Sequence, residues 1–463
     1  MAQSPRYPDE IEIQPVRAPV DAEVAVPGSK SDTNRALPIA ALADGTSVIR
    51  GALFSDDTHY MAEALNALGI RVSASPEDRT FTVAGAGGTI PTPSASLFIG
   101  NSGTTARFLT ALLALGRGEY VLDGVERMRQ RPIQPLLDAL RQLGVDAVSI
   151  HGTGCPPVRV RADGLRGGHT RLDGRESSQF LSALPMVGPC TRDGLTIDIE
   201  GDLVSKPYVD LTASTMAAFG ATLTNEGYRR FVVPGGQGYR AIEYQVEPDA
   251  SAASYFFALA AVTGGRVRVP GLGSRSQQGD LRFVGVLERM GCTVEMTADA
   301  TEVRGPKRLA GIEVDMNAIS DTAQTLAAIA PLASGPVAIR NVAHIRAKET
   351  DRIAAVVAEL RRLGVRVEEM PDGLVVYPGA VRPGRVETYD DHRMAMSFAI
   401  LGCATPGIRI ADPGCVAKTF PEFWDTLAAA TAGAREAVTR HMSSVMRLAC
   451  CVFRDPCCSP LPW

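Results

Sequence analysis

EALNALGIRV (Glu63–Val72) and DALRQLGVDAV (Asp138–Val148) share one pattern: the end of an apolar-periodic helix, a glycine, then strand-like residues. TMAAFGATL (Thr215–Leu223), VLERMGCTV (Val286–Val294) and ELRRLGVRV (Glu359–Val367) repeat it. The glycines Gly69, Gly144, Gly220, Gly291 and Gly364 are 75, 76, 71 and 73 residues apart. Each suits the left-handed position that follows a helix. A second short strand comes next in each case: FTVAG, PVRV, FVVPG, TEVRG and LVVYPG. The unit therefore reads helix, strand, turn, strand. A sixth helix, PEFWDTLAAATAG (Pro421–Gly433), is expected to end at Gly433 without a hairpin, and the N-terminal strand IEIQPV (Ile11–Val16) to complete its unit. A repeat of this length is too long for a solenoid module. It predicts an α+β or α/β fold of six small subdomains, three per domain, with sheets packed on helices.

The composition narrows the function. The chain has 463 residues, 45% hydrophobic and 21% charged, with a net charge of −4. That describes a globular protein of several domains and argues against a nucleic-acid or other polyanion binder. No apolar run approaches a membrane span, and Met1–Pro15 lacks a charged-then-apolar leader, so a cytoplasmic protein is expected. Of nine cysteines, Cys155, Cys190, Cys292, Cys403 and Cys415 are scattered singly and no C-x-x-C pair occurs. Neither a disulfide framework nor a metal site is expected. Cys450, Cys451, Cys457 and Cys458 fall in a compositionally foreign segment, residues 435–463, expected to be a disordered tail. Of 47 basic residues only five are lysine: Lys30, Lys206, Lys307, Lys348 and Lys418. All but Lys307 lie in motifs with ligand-binding character.

VPGSKSDTNRAL (Val26–Leu37) places a turn before a helix capped by Ser31 or Asp32. Lys30 and Ser31 then lie at a helix mouth that favours anions, with Arg35 on the same face as Ser31. IGNSGTTARFLTALLALG (Ile99–Gly116) repeats this logic, and Gly103 permits close approach of backbone to a ligand. Neither is a Walker A loop or a dinucleotide fingerprint. RMRQRPI ends on Arg131 before a proline-started helix. RESSQF brings Ser177, Ser178 and Gln179 to another helix start, and GDLVSKPYVDLT offers Ser205, Lys206 and Tyr208. Hydroxyls and an amide there suit a polyol phosphate, although capping alone explains them as well. Towards the C-terminus IRAKETDR (Lys348, Glu349, Arg352), YDDHRMAM (His392, Arg393) and DPGCVAKTFPEFW (Lys418) concentrate charge. Taken singly, each has an ordinary explanation as a solvated helix or turn. Together they place many cations on a net-acidic chain, which points to small, highly charged substrates.

PGSKSDTNRAL, GNSGTTAR, RQRPIQPLLDAL, SSQF, VSKPY, AKETDR, DDHRMAM and AKTFPEFW, in this order over residues 11–430, resemble the 5-enolpyruvylshikimate-3-phosphate (EPSP) synthase family, the 3-phosphoshikimate 1-carboxyvinyltransferases. The resemblance implies an inside-out α/β barrel of two domains, each with three βαβαββ units. It places residues 1–28 plus 246–434 in one domain and 29–245 in the other, with the active site between them. The implied reaction moves the enolpyruvyl group of phosphoenolpyruvate to the 5-hydroxyl of shikimate 3-phosphate by addition and elimination, without metal or cofactor. Residue by residue, it implies that shikimate 3-phosphate meets Lys30, Ser31, Arg35, Ser177, Ser178, Gln179, Ser205, Asp321 and Lys348. Phosphoenolpyruvate would meet Lys30, Gly103, Arg131, Gln179, Arg352, Arg393 and Lys418. Asp321, in MNAISDTAQT, would accept the 5-hydroxyl proton. Glu349 would handle the methylene proton, with Lys30 or His392 assisting. A monomer with no nucleic-acid or membrane partner is implied.

Two positions depart from the family pattern. His344 stands where many members have asparagine, and is expected to bond shikimate 3-phosphate in its place. Phe108 stands where a proline is usual, behind the loop that carries Gly103. Gly103 itself is kept, which implies that the family inhibitor glyphosate binds. The nearest alternative is the sister transferase acting on UDP-N-acetylglucosamine, which typically uses a mobile-loop cysteine that RMRQRPI lacks. An RNA-end phosphate cyclase and a non-catalytic anion-binding relative are the others.

Overall fold

The computed structural model describes residues 7–435. Five four-stranded sheets share one topology. In the clearest, Ser94–Phe98 runs parallel to Arg117–Asp123, and Val158–Asp163 pairs antiparallel with both Arg117–Asp123 and Asp146–Ser149. The helix Gly103–Leu112 joins the parallel pair, and Gln134–Gln142 leads into the hairpin. This is the βαβαββ order of the resemblance, and it recurs in the sheets built around Thr46–Arg50, Leu195–Glu200, Arg266–Pro270 and Val337–Arg340.

All five repeat glycines have positive φ, from +80° to +102°, directly after a helix. Only glycine takes that conformation without steric cost, which is why the residue recurs where each helix must turn into its strand. The sixth unit forms as expected in one respect. Glu10–Glu12 pairs antiparallel with Ile408–Ala411, which runs parallel to Gly384–Val386. It differs in another: the last helix, 423–435, continues through Gly433 instead of ending there. Apart from Arg435, which is helical, the expected tail lies outside the described residues.

Two strands reach their sheets from far along the chain. Glu243–Gln245 completes the sheet of Thr46–Arg50, and Asp21–Glu23 stands beside Arg266–Pro270. One hydrophobic core accordingly gathers side chains from Ile13 to Val26 and from Ala250 to Ala434, with the wholly buried run Tyr255–Ala261 among them. The other is built from Ala36 to Val246. The two segments that pass between the cores lie side by side. Gly28 and Pro248 form an antiparallel bridge, Ser29 N–H donates to Glu247 O, and Asp249 N–H donates to Pro27 O.

Candidate active site

Polar residues from both cores meet at the first turns of helices. Lys30, Gly103, Ser178 and Arg352 are each the first residue of a helix, and His392 and Arg393 open another. Ser29, Ser102, Ser177, Asp351 and Asp391 cap these helices through side-chain oxygens. The cap before Lys30 is thus Ser29, not Ser31 or Asp32. Free N–H groups and the helix dipole at such ends favour anions.

Arg352 is the hub. Its side chain is 2% exposed. It donates from Nε to Asp391 at 2.8 Å, from Nη1 to Asp321 at 3.1 Å and from Nη2 to Glu349 at 2.7 Å. Arg393 Nη2 holds the other oxygen of Asp321 at 2.7 Å, and Lys348 Nζ stands 3.8 Å from the first. A second group centres on Asp57, which takes Lys418 Nζ at 2.8 Å and has Lys30 Nζ at 3.8 Å. Lys418 Nζ also donates to Asn101 O at 2.9 Å, and Arg131 Nη1 donates to the same oxygen at 2.8 Å. Arg131 Nη2, 3.8 Å from Glu349, links the two groups. A chain of largely alternating charge therefore links the two cores: Lys30, Asp57, Lys418, Arg131, Glu349, Arg352, Asp321, Arg393, with Lys418 and Arg131 meeting at Asn101 O. A Cβ on Gly103 would overlap the Arg131 guanidinium, with Cζ 2.9 Å away and Arg107 Nη1 at 3.0 Å.

Beside this chain, Ser205 of one core contacts the other. Its N–H donates to Asn317 Oδ1 at 3.0 Å, and its hydroxyl lies 3.1 Å from His344 Nε2, which is 2.9 Å from the Ser320 hydroxyl. Ser205 has a positive φ of 53°.

The electrostatics follow from burial opposed by neighbours. Burial pushes the Asp321 carboxyl up, but Arg393, Lys348 and Arg352 outweigh it and hold it well below the usual range. Glu349 is also held well below, burial being overcome by Arg352 and Arg131. Burial lowers Lys348, only partly opposed by Asp321. For Lys418 burial loses to Asp57 and Glu349, so its ammonium is favoured. Burial, then Lys348, lowers His344 to about 3. Burial, then Arg393 and Lys30, holds His392 well below 6.5. Both histidines are therefore neutral at pH 7. His392 is fully buried and neither ring nitrogen has a hydrogen-bond partner, so it is not in the form of an imidazolium acid here.

The structure thus brings Lys30, Gly103, Arg131, Asp321, Lys348, Glu349, Arg352, Arg393 and Lys418 together, with His344 and Ser205 adjoining. Ser177 caps the Ser178–Val187 helix by accepting from Gln179 N–H at 3.2 Å. Phe180 of that helix lies 5.7 Å from the guanidinium of Arg107. Arg35 is buried and donates to Ser31 O at 2.7 Å, Thr212 Oγ1 at 2.8 Å and Tyr208 O at 2.9 Å. Phe108 leaves the Gly103–Leu112 helix regular and packs 5.3 Å from Arg35. Lys206 does not join the site; it is exposed, its ammonium 5.3 Å from the Tyr228 ring. Sequence reasoning missed Asp57, Asn101 and the role of Asp391. Asp57 is 1% exposed, yet in SDD (Ser55–Asp57) it reads as an ordinary acid in a first helical turn. A buried carboxylate was legible only by pairing it with Lys418, 361 residues away.

Among the described residues no helix is long and apolar enough to cross a membrane. The family profile for EPSP synthase (3-phosphoshikimate 1-carboxyvinyltransferase) matches residues 15–427. A 3-phosphoshikimate 1-carboxyvinyltransferase of Nostoc punctiforme is 54% identical over 416 residues, 90% of this chain and 98% of its own length. The chloroplastic one of Petunia hybrida is 46% identical over 438 residues, 91% of this chain and 85% of its own. An EPSP synthase structure from Acinetobacter baumannii superposes with a TM-score of 0.77 at 26% identity, covering 91% of this chain and 98% of that one. The enolpyruvyl transferase NikO from Streptomyces tendae, 20% identical, shares the fold with a TM-score of 0.73. With five βαβαββ-type sheets and a three-stranded sixth, a charged site between two cores and these relatives, the chain belongs to the EPSP synthase family and is an enolpyruvyl-transferring enzyme of the shikimate pathway.

Proposed function

We propose that this site transfers the enolpyruvyl group as follows. Asp321 takes the proton of the shikimate 3-phosphate 5-hydroxyl as that oxygen bonds to C2 of phosphoenolpyruvate, and the methylene carbon gains a proton delivered by Glu349 or Lys30. The tetrahedral adduct then loses phosphate by C–O cleavage while the methyl carbon gives a proton back. Lys30, Arg131, Arg352, Arg393 and Lys418 hold phosphoenolpyruvate, with Gly103 and Gln179 against it. Ser31, Arg35, Ser177, Ser178, Gln179, Ser205, His344 and Lys348 hold shikimate 3-phosphate.

The observation that carries this reading is the chain of five cations and three carboxylates. In the free site Asp321 and Glu349 neutralise Arg352, Arg393 and Arg131. Anionic substrates supply replacement charge, which relieves the carboxylates and lets their pKa values rise towards the range useful for proton transfer. Fixed cations also lower the repulsion between two polyanions and hold them in reacting geometry.

Residues 1–28 with 246–434 form one domain in this reading and 29–245 the other; the two separate cores support that division. The five unpaired cysteines among the described residues suit the cytoplasm. The decisive assay is phosphate release from phosphoenolpyruvate in the presence and absence of shikimate 3-phosphate. Strict dependence is expected. Release driven by UDP-N-acetylglucosamine, or none at all, overturns the reading.

A further inference from the structure

The turn that feeds Asp391, His392 and Arg393 into the site is held in an unusual conformation. Thr388 O accepts from Asp391 N–H at 2.9 Å, and the two residues between them have positive φ, 56° at Tyr389 and 53° at Asp390. A turn of this kind favours glycine and asparagine at its centre. A bulky tyrosine there is a conformational outlier that persists only when its surroundings impose it.

The imposing group is on another helix. Glu359 is fully buried, on the Arg352–Arg362 helix that begins with the hub arginine. Its Oε1 accepts from the Tyr389 hydroxyl at 2.6 Å, and its Oε2 accepts from Glu387 N–H at 3.0 Å. Arg362 Nε, 3.2 Å from Oε2, gives it a counter-charge. One carboxylate therefore grips the chain on either side of Thr388. From the far end of the same helix, Arg352 grips Asp391 just beyond the turn.

We propose that Glu359 and Tyr389 are positioning residues for the reaction. Their hydrogen bond keeps the Tyr389–Asp390 turn left-handed, which sets Asp391 and Arg393 in register with Arg352 and Asp321. Neither residue touches the alternating charge chain, so the effect on substrate is transmitted through the turn. The proposal rests on Arg352 and Arg393 holding phosphoenolpyruvate.

Tyr389→Phe removes the hydrogen bond and keeps the ring. Charge-assisted hydrogen bonds are strong enough that about a tenfold rise in KM for phosphoenolpyruvate is expected, with KM for shikimate 3-phosphate close to that of the unaltered enzyme. Glycine adopts positive φ freely, so Tyr389→Phe/Asp390→Gly is expected to recover most of the loss. Unchanged kinetics in Tyr389→Phe overturn the proposal. A loss that Asp390→Gly does not relieve also overturns it, because the turn conformation is then not what the hydrogen bond maintains. Arg393→Ala separates the underlying assumption: an unchanged KM for phosphoenolpyruvate there overturns the substrate assignment and the proposal together, whereas a raised KM beside a normal Tyr389→Phe overturns the positioning role alone.

Discussion

The backbone N–H of Lys30 donates to Oδ2 of Asp249 at 2.9 Å, while Oδ1 of the same carboxylate accepts from Ala252 N–H at 2.8 Å. One side chain thus satisfies the starts of two helices, Lys30–Leu42 packed in one core and Ala250–Thr263 in the other. Ser29 Oγ takes the N–H of Asp32, so this helix mouth is already partly filled with protein acceptors. In the proposed reading an incoming anion would be held there chiefly by the Lys30 ammonium. Asn at position 249 offers one oxygen and one amide donor, so it can accept from only one of the two N–H groups. Asp249→Asn is expected to lower stability by about 1–2 kcal/mol, the range for loss of a helix cap, in denaturant unfolding. An unchanged midpoint and slope would remove the double-cap assignment.

Gly103→Ala places a methyl against the Arg131 guanidinium. Arg131 is 3% exposed and bonded to Asn101, so it has little room to yield. Displacing it would misalign the cations proposed to hold phosphoenolpyruvate. KM for phosphoenolpyruvate is expected to rise roughly tenfold, in line with about 1.4 kcal/mol of misplaced contact, and glyphosate inhibition to weaken. Steady-state kinetics with and without the inhibitor check this, and unaltered constants count against the placement of Arg131.

Asp321→Asn removes the proposed base and also the charge between Arg352 and Arg393. Substrate binding should survive, because the substrates themselves are anions. Turnover should fall by about 10²–10⁴-fold, the scale of general base catalysis. The ligand-free protein should melt lower than the unaltered one, with much of the gap closing when both substrates are added, since ligands that bind only the folded state stabilise it. Near-normal turnover removes the assignment.

His344 gives the stability curve an acid-side slope. Its folded pKa of about 3 lies below the unfolded value of 6.5. The unfolded chain therefore binds the extra proton first, and the contribution of this residue is complete above pH 6.5 and lost as pH falls towards 3. By pH 4.5 the loss amounts to roughly 2–3 kcal/mol. His344→Asn keeps polar atoms for Ser205 and Ser320 but cannot titrate. Its Tm relative to the unaltered protein should rise between pH 8 and pH 4.5. A pH-independent difference would contradict a buried neutral imidazole at this position.

The repeat was readable because its signals are local. Five glycines after five helices, each followed by alternating strand residues, specify the unit through backbone sterics and side-chain period alone. The same holds for the helix starts that carry Lys30, Gly103, Ser178 and Arg352. Misreadings occurred where local signals are degenerate. Ser29, Ser31 and Asp32 are all competent caps, and only the folded backbone selects Ser29. Gly433 resembles the five stop glycines, but no hairpin follows to demand a left-handed turn, so the helix runs on. Lys206 sits in a site-like motif, yet the helix it precedes turns its ammonium to the Tyr228 ring.

Sequence alone determined the α/β class, the six-unit plan and most of the cationic residues, since propensity, period and composition are properties of short windows, while Asp321 entered only through the family resemblance. Tertiary structure alone decided the pairings: Asp57 with Lys418, Asp391 with Arg352, Asp249 with two helix starts, Ser205 with His344. Except for a few neighbours, these partners are tens to hundreds of residues apart. Which buried charge neutralises which depends on distances of a few ångströms that only the packing of two cores sets.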